Sequence, residues 1–165
     1  MIQRVKKYLL HLVCIIILAV GTVGCDKSDS NDNSNENIET INIDVRLAGC
    51  WHLVSFCDAS VDVDIYINFD KSGQFKIYQR TEGPAYTVFG GTCTTDEVNA
   101  VLSGIYSDGT EWNTDYKYTV DTEAQELILE SVATPDEVSV YKSSSVPVSA
   151  TLSTRSASAD DVKPL

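Results

Sequence analysis

The chain has 165 residues, enough for one domain with flanking segments, and its formal net charge at pH 7 is −12. Nucleic-acid binding depends on clustered lysine and arginine side chains that displace counterions, so this charge argues against a nucleic-acid partner. It argues equally against adhesion to anionic lipid through a basic face, and it favours a surface kept soluble by like-charge repulsion.

The first 25 residues have the layout of a secretory signal. Three basic residues among the first seven precede an apolar run over 8–23, which is shorter than the roughly 20 residues of a membrane span. The run leads to Gly24-Cys25, which resembles the end of a bacterial lipoprotein signal. This resemblance implies a signal peptide over 1–24, a lipid on Cys25 and attachment to the membrane through that lipid alone. A plain signal anchor with a chance cysteine is the alternative.

The stretch after Cys25 is strongly polar. Residues 26–37 contain no apolar side chain and cannot bury enough surface to offset the entropy of ordering. We therefore predict a flexible linker that reaches residue 45. The lipid anchor implies a location in the bacterial cell envelope. The acidic residues after Cys25 resemble surface-export signals, so we expect attachment to the outer membrane, with the protein facing the periplasm or the cell surface. Retention at the inner membrane is the alternative, because Asp26 alone resembles a signal for it.

A β-strand is predicted where the folded domain begins. Gly49 precedes Trp51, and β-favouring residues continue to Phe56. Glycine allows a close approach of another backbone, and tryptophan is the largest apolar side chain to bury. We expect the other strands to close around this segment.

Strict alternation marks the next two strands. Apolar residues recur at every second position from Val61 to Phe69, and Phe75 and Ile77 continue the pattern after a turn at 70–73. The turn ends in glycine, so the two runs form a hairpin.

Five further strands follow at short intervals. They are predicted near 85–93, 98–106, 116–120, 127–129 and 138–140. About eight antiparallel strands joined by short turns favour an all-β, up-and-down barrel over a sandwich, which would need long crossover connections. The barrel domain is expected over 46–142. The Ser- and Ala-rich stretch 143–165 is expected to be a disordered tail, with a short edge strand over 146–152 as an alternative and no packed C-terminal helix.

Three sequence features in this order carry a resemblance. Gly49-Cys50-Trp51 resembles the Gly-x-Trp motif of lipocalins, and the segments 69–75 and 102–112 resemble later parts of lipocalin-like domains in bacterial lipoproteins. The resemblance implies a barrel that is closed at one end by the tryptophan and opens at the other to a small apolar ligand. The absence of helical periodicity after residue 143 departs from the usual lipocalin pattern.

The function expected from this fold is binding. The alternating apolar set predicts a tentative ligand-binding interior, and that set is Trp51, Val63, Ile65, Ile67, Phe69, Phe75 and Ile77. The partner is expected to be a small apolar or amphipathic molecule. The alternative is a barrel filled by its own side chains, acting as a structural or interaction protein on another envelope protein.

The sequence does not suggest an enzyme, a metal site or a cofactor. The one histidine after Cys25, His52, lies on the strand face opposite Trp51, where a surface role is expected. Asp62 and Asp64 share the strand face opposite the apolar set, so we interpret them as solvated surface carboxylates.

Three cysteines remain after Cys25, so at most one intramolecular disulfide can form. An exported protein meets an oxidising environment. Cys57 and Cys93 are the preferred pair because both are predicted at strand ends where turns cluster, and free buried thiols are the alternative.

Overall fold

The computed structural model describes residues 43–158 and 160–165. The predicted signal peptide, the lipidated Cys25 and most of the predicted linker lie outside these residues. Within them the chain forms ten strands, and these are β1 (Gly49–Phe56), β2 (Ala59–Ser60), β3 (Asp64–Phe69), β4 (Gln74–Arg80), β5 (Tyr86–Asp96), β6 (Val101–Tyr106), β7 (Tyr116–Asp121), β8 (Glu126–Ser131), β9 (Val138–Ser144) and β10 (Thr154–Ser156). A 3-10 helix covers Val45–Leu47, and a short helix, α1, covers Val148–Leu152.

Eight of these strands close into an antiparallel barrel, which confirms the predicted fold class. Each strand from β3 to β9 pairs with the next along the chain, and β1 joins β3 to β9 and completes the ring. β2 only extends a hairpin on β1, and β10 lies alongside β5. The topology is compatible with the lipocalin-like fold that the resemblance implies.

Period-two alternation accounts for the strand faces. Along β3, buried residues alternate with half-buried ones, and the buried ones point into the barrel. The predicted start of this strand was Val61. In the structure β3 begins at Asp64, because residues 61–63 bend before entering the sheet. Val61 and Val63 still pack against the core from this bend.

The segment before β1 closes one end of the barrel, which we call the lower end. Ile43 and Leu47 are buried, and the indole nitrogen of Trp51 donates a 2.8 Å hydrogen bond to the Leu47 carbonyl. Asp44 is buried here, where its backbone N–H donates to Thr95 and its carboxylate accepts from Tyr118. The predicted linker boundary at residue 45 is therefore wrong, since the folded domain includes Ile43 and Asp44.

Acid is expected to loosen this lower end. Hydrogen bonds from Arg46, aided by Tyr118 and opposed by burial, hold the pKa of Asp44 below its ordinary value. Because the pKa is lower in the folded than in the unfolded chain, the ionised carboxylate stabilises the fold above about pH 4, and this contribution is lost as the pH falls through the folded pKa. Asp44→Asn should lower the denaturant midpoint at pH 7, and its difference from the wild type should shrink near pH 3.

The matched control for this prediction is Asp62→Asn, which removes an exposed carboxylate. Denaturant unfolding at both pH values measures the effect. If the denaturant midpoints of the wild type and Asp44→Asn differ by the same amount at pH 7 and at pH 3, the proposed role of the carboxylate is contradicted.

The segment after β9 is folded, so the prediction of a disordered tail is wrong. β6 pairs only with 91–96 of β5, which leaves the backbone of 86–88 in need of hydrogen-bond partners. β10 supplies them by pairing in parallel with Tyr86–Val88, and α1 precedes it at 148–152, where the alternative prediction had an edge strand. Ala150 and Leu165 are buried and anchor this segment.

Removing one hydroxyl is expected to release the end of this segment. The Tyr106 hydroxyl donates to the Leu165 carbonyl and accepts from its N–H, both at 3.0 Å and both buried. Tyr106→Phe leaves two buried backbone groups unpaired, which costs about 1–3 kcal/mol. We expect a lower unfolding midpoint and faster amide exchange at Leu165, whereas the half-buried control Tyr78→Phe should change neither. Unchanged exchange at Leu165 would contradict this prediction.

Candidate binding site: the barrel interior

Val63, one of the seven residues predicted to line a ligand site, is half-buried in the bend before β3. The other six lie inside the barrel and fill it. They come from the inward faces of β1, β3 and β4, and their exposed fractions are small: Trp51 6%, Ile65 8%, Ile67 0%, Phe69 2%, Phe75 2% and Ile77 0%. Neighbouring strands place them side by side, as Trp51 beside Ile67 and Phe69 beside Phe75. Whether any of them contacts a ligand stays a prediction.

The opposite half of the interior was not predicted. It is formed by β5 to β9 and the connecting segments, and its main members are Phe89, Leu102, Tyr106, Trp112, Tyr118, Leu127, Leu129 and Tyr141. Alternation in β7 and β8 was a usable signal for Tyr118, Leu127 and Leu129, because burial follows period two there. Trp112 had no such signal, since it lies between strands.

Aromatic rings occupy the interior where β4, β5 and β6 meet. Phe75 packs edge-on against Tyr106 and Trp112, with ring centroids 5.7 Å and 5.2 Å apart, and Phe89 meets Tyr106 at 6.1 Å. Two glycines make room for these rings. A Cβ atom on Gly91 would lie 2.8 Å from the Phe75 ring, and one on Gly104 would lie 2.3 Å from the Trp112 indole.

Two buried polar atoms in this apolar interior have no hydrogen-bond partner among the described residues. They are Oε1 of Gln79, an acceptor, and Nε1 of Trp112, a donor. Gln79 lies beside Ile65 and Thr87, so its side chain belongs to the inward row of β4. An unpaired buried polar atom costs about 1–3 kcal/mol, which makes these two atoms the least satisfied part of the core.

Open grooves run along the outer wall of the barrel. One, of about 460 Å³, follows β5 and β6 and the segment 111–115, and it is lined in part by Cys93, Gly104 and Trp112. A second, of about 350 Å³, lies between β5 and the folded tail. The first groove lies directly outside the place where the Trp112 side chain enters the barrel.

The outer face of β1, β3 and β4 holds a charged and aromatic cluster. His52 lies there, on the face opposite Trp51, and its ring stacks on Tyr66 with centroids 4.4 Å apart. Its Nε2 is 3.6 Å from Asp64, which also bonds Arg80 and Tyr86. Partial burial opposes the shift, yet Arg80 and Tyr86 together hold the pKa of Asp64 below its ordinary value. These contacts tie four strands, β1, β3, β4 and β5, together on the outside.

The predicted disulfide between Cys57 and Cys93 is not formed, and Cys50, Cys57 and Cys93 are free thiols. Cys93 donates its backbone N–H to Gly73 at the lower end of the barrel, whereas Cys57 follows Phe56 at the far end of β1. Eight residues of strand separate these ends by roughly 25 Å, while a disulfide needs Cα atoms within about 7 Å. Burial raises the pKa of the Cys93 thiol to about 12.

Within 43–158 and 160–165, no three histidine, cysteine, aspartate or glutamate side chains lie close enough together to hold a metal ion. No helix in this part of the chain is long and apolar enough to cross a membrane.

Comparison with known proteins leaves the geometry as the main guide to function. No protein-family model matches the chain, and no curated protein is significantly similar to it in sequence. What is established is the fold, a closed, antiparallel, eight-stranded barrel.

Proposed function

We propose that this chain is a non-enzymatic lipoprotein of the bacterial cell envelope whose barrel binds a small apolar or amphipathic molecule. The lipid on Cys25 would hold it to an outer membrane, and the polypeptide itself would stay outside the bilayer. No nucleic acid is expected as a partner, since the net charge is −12.

The observation that carries the proposal is the mixed character of the interior. The barrel is lined by apolar side chains, yet it contains one unpaired donor and one unpaired acceptor. Ligand sites combine apolar walls with a few polar groups that fix orientation. An amphipathic molecule that displaces part of the filling would pair with Gln79 Oε1 or would release Trp112 Nε1 to a hydrogen-bond partner outside the core.

Binding is tested first by what the protein carries. The full chain, purified gently from its host, is examined by native mass spectrometry, and any bound molecule is extracted. The protein is then titrated with an apolar dye that fluoresces in apolar surroundings. We expect a co-purifying small molecule or saturable dye uptake. If no molecule co-purifies and dye uptake equals that of a well-packed control protein, the ligand proposal fails.

A second candidate function is favoured by burial. Six of the seven residues predicted for ligand contact are no more than 8% exposed, which is also how a permanently filled barrel would look. Such a barrel would act through its outer surface on another envelope protein. The negative outcome of the experiment above would make this the better proposal.

The anchor is tested separately. Cells that express the protein are fed a fatty-acid analogue, and labelling of the wild type is compared with that of Cys25→Ser. Because the thiol of Cys25 is the proposed attachment point, the variant should lose its label, while Cys57→Ser, far along the chain, should keep it. Equal labelling of the wild type and Cys25→Ser would rule out lipid attachment at that residue.

A further inference from the structure

The barrel wall is weakest between β6 and β7. These strands pair at two positions only, Val101 with Lys117 and Leu102 with Tyr116. On their other edges these two strands are paired over a longer stretch: β6 pairs with β5, and β7 with β8, over six positions each. Beyond Leu102, the connecting segment lies against β6 in place of a strand, through one bridge from Ile105 to Glu111 and one hydrogen bond from Trp112 N–H to Gly104.

Trp112 is the one buried residue of the connecting segment 107–115, whose other members are exposed or half-buried. Its side chain is 6% exposed and points into the barrel between β6 and β7, at the weakly paired part of the wall that we call the seam. The indole lies on Gly104, where any Cβ would overlap it, and between the rings of Phe75 and Tyr116 at 5.2 Å and 6.0 Å. Its Nε1 donor has no partner there.

The segment is held on both sides of Trp112. On one side Lys163 pairs with Asp108 at 2.6 Å, and Thr110 accepts a hydrogen bond from Tyr106 N–H. On the other side Asp115 accepts a hydrogen bond from Val132 N–H. Rotation about the residues between these anchors would break the hydrogen bond from Trp112 N–H to Gly104 and move Trp112 outward, towards the 460 Å³ groove that Trp112 helps to line.

We propose that the space now filled by the Trp112 indole is a binding subsite for a flat aromatic compound of one or two fused rings, which enters sideways through the seam between β6 and β7. The inference rests on the proposed ligand-binding function and names the entrance and the ligand class. Outward rotation gives the indole N–H access to water, so the unpaired donor favours exchange. The flat space that the indole leaves is then bounded by Phe75 and Tyr116, whose rings meet it edge-on, and by the bare backbone of Gly104.

The outward rotation of Trp112, which we call the gate, limits the affinity of the protein for the aromatic compound. A minor conformation of a folded protein is typically populated at about 0.1–10%, and an affinity that depends on it is weakened by that fraction. Removing the Trp112 side chain should therefore tighten binding of the aromatic compound at least about tenfold. Trp112→Ala is the variant that does so. Leu127→Ala is the matched control, because it empties buried space on β8, away from the seam.

The test uses the full chain, solubilised and labelled with 5-fluorotryptophan, with indole as the probe. The chain has two tryptophans, so ¹⁹F NMR gives two signals, and Trp112→Phe assigns them without emptying the core. On saturation with indole, the Trp112 signal should move towards the shift of exposed fluorotryptophan while the Trp51 signal stays. Calorimetry should show indole bound at least tenfold more tightly by Trp112→Ala than by the wild type or Leu127→Ala.

The outcomes separate this inference from the proposed function. Indole or dye binding without movement of the Trp112 signal overturns the gate and leaves ligand binding intact. Equal tightening in Trp112→Ala and Leu127→Ala also overturns it, because any cavity would then do. If the wild type takes up neither dye nor indole and Trp112→Ala takes up no indole, both proposals fail.

Discussion

Replacing Trp51 with alanine is expected to lower the free energy of unfolding by about 3–5 kcal/mol. The side chain is 6% exposed and belongs to the central core. It also closes the lower end, where its indole nitrogen bonds the Leu47 carbonyl at 2.8 Å. Because small domains have only about 5–15 kcal/mol of stability, this single change should remove much of it.

Trp51→Phe separates the two contributions of this residue. Phenylalanine keeps much of the apolar contact and leaves the Leu47 carbonyl without its partner, so the loss should be about 1–3 kcal/mol. Denaturant unfolding of the wild type and both variants measures the difference. A midpoint that is unchanged in Trp51→Ala would mean that Trp51 does not hold the barrel closed.

Gly91→Ala is expected to be the second strongly damaging change. An added Cβ would lie 2.1 Å from the backbone oxygen of Ile105 and 2.8 Å from the Phe75 ring. The nearest obstacle is backbone, so no side-chain rotation relieves it, and β5 would have to separate from β6. Overpacking typically costs about 1–3 kcal/mol, and the loss of hydrogen bonds between these strands would add to it.

The next residue along the chain provides the control. A Cβ on Gly90 would meet only Phe75 O and Ser107 Oγ, both at 3.6 Å, which is ordinary contact. Gly90→Ala should therefore be neutral or slightly stabilising, because alanine has less backbone freedom to lose on folding. Thermal unfolding of the two variants is the measurement. Equal destabilisation by both would show that loss of glycine, and not the clash with Ile105, is responsible.

Alternation of apolar residues was enough to predict most of the barrel. In β3 the buried residues Ile65, Ile67 and Phe69 occupy every second position, so their common face follows from the chain alone. The short turns between such runs favour consecutive antiparallel pairing, and eight such strands close without free edges. The burial of Trp51 at the closed end was likewise predictable from its size and its place on the first strand.

Features that depend on distant partners could not be predicted in this way. Leu165 is buried because Tyr106, 59 residues earlier, binds its backbone, and nothing local distinguishes it from a polar tail. β10 forms because the first half of β5 has β4 on one edge and lacks a neighbour on the other, which is known only once β6 has paired. Cys57 and Cys93 were both predicted at strand ends, yet Cys93 lies inside β5 and Cys57 follows β1 at the opposite end of the barrel.

The sequence by itself determined the eight strands of the barrel, their meander and one half of the interior, because those follow from a period-two pattern within each strand. Only the tertiary structure decided which segments complete the wall and what fills the other half. Trp112 is the clearest case, since it lies in an exposed connecting segment without alternation. Its burial exists only because Gly104, on another strand, leaves room for the indole, and such complementarity of volume arises between elements rather than within one.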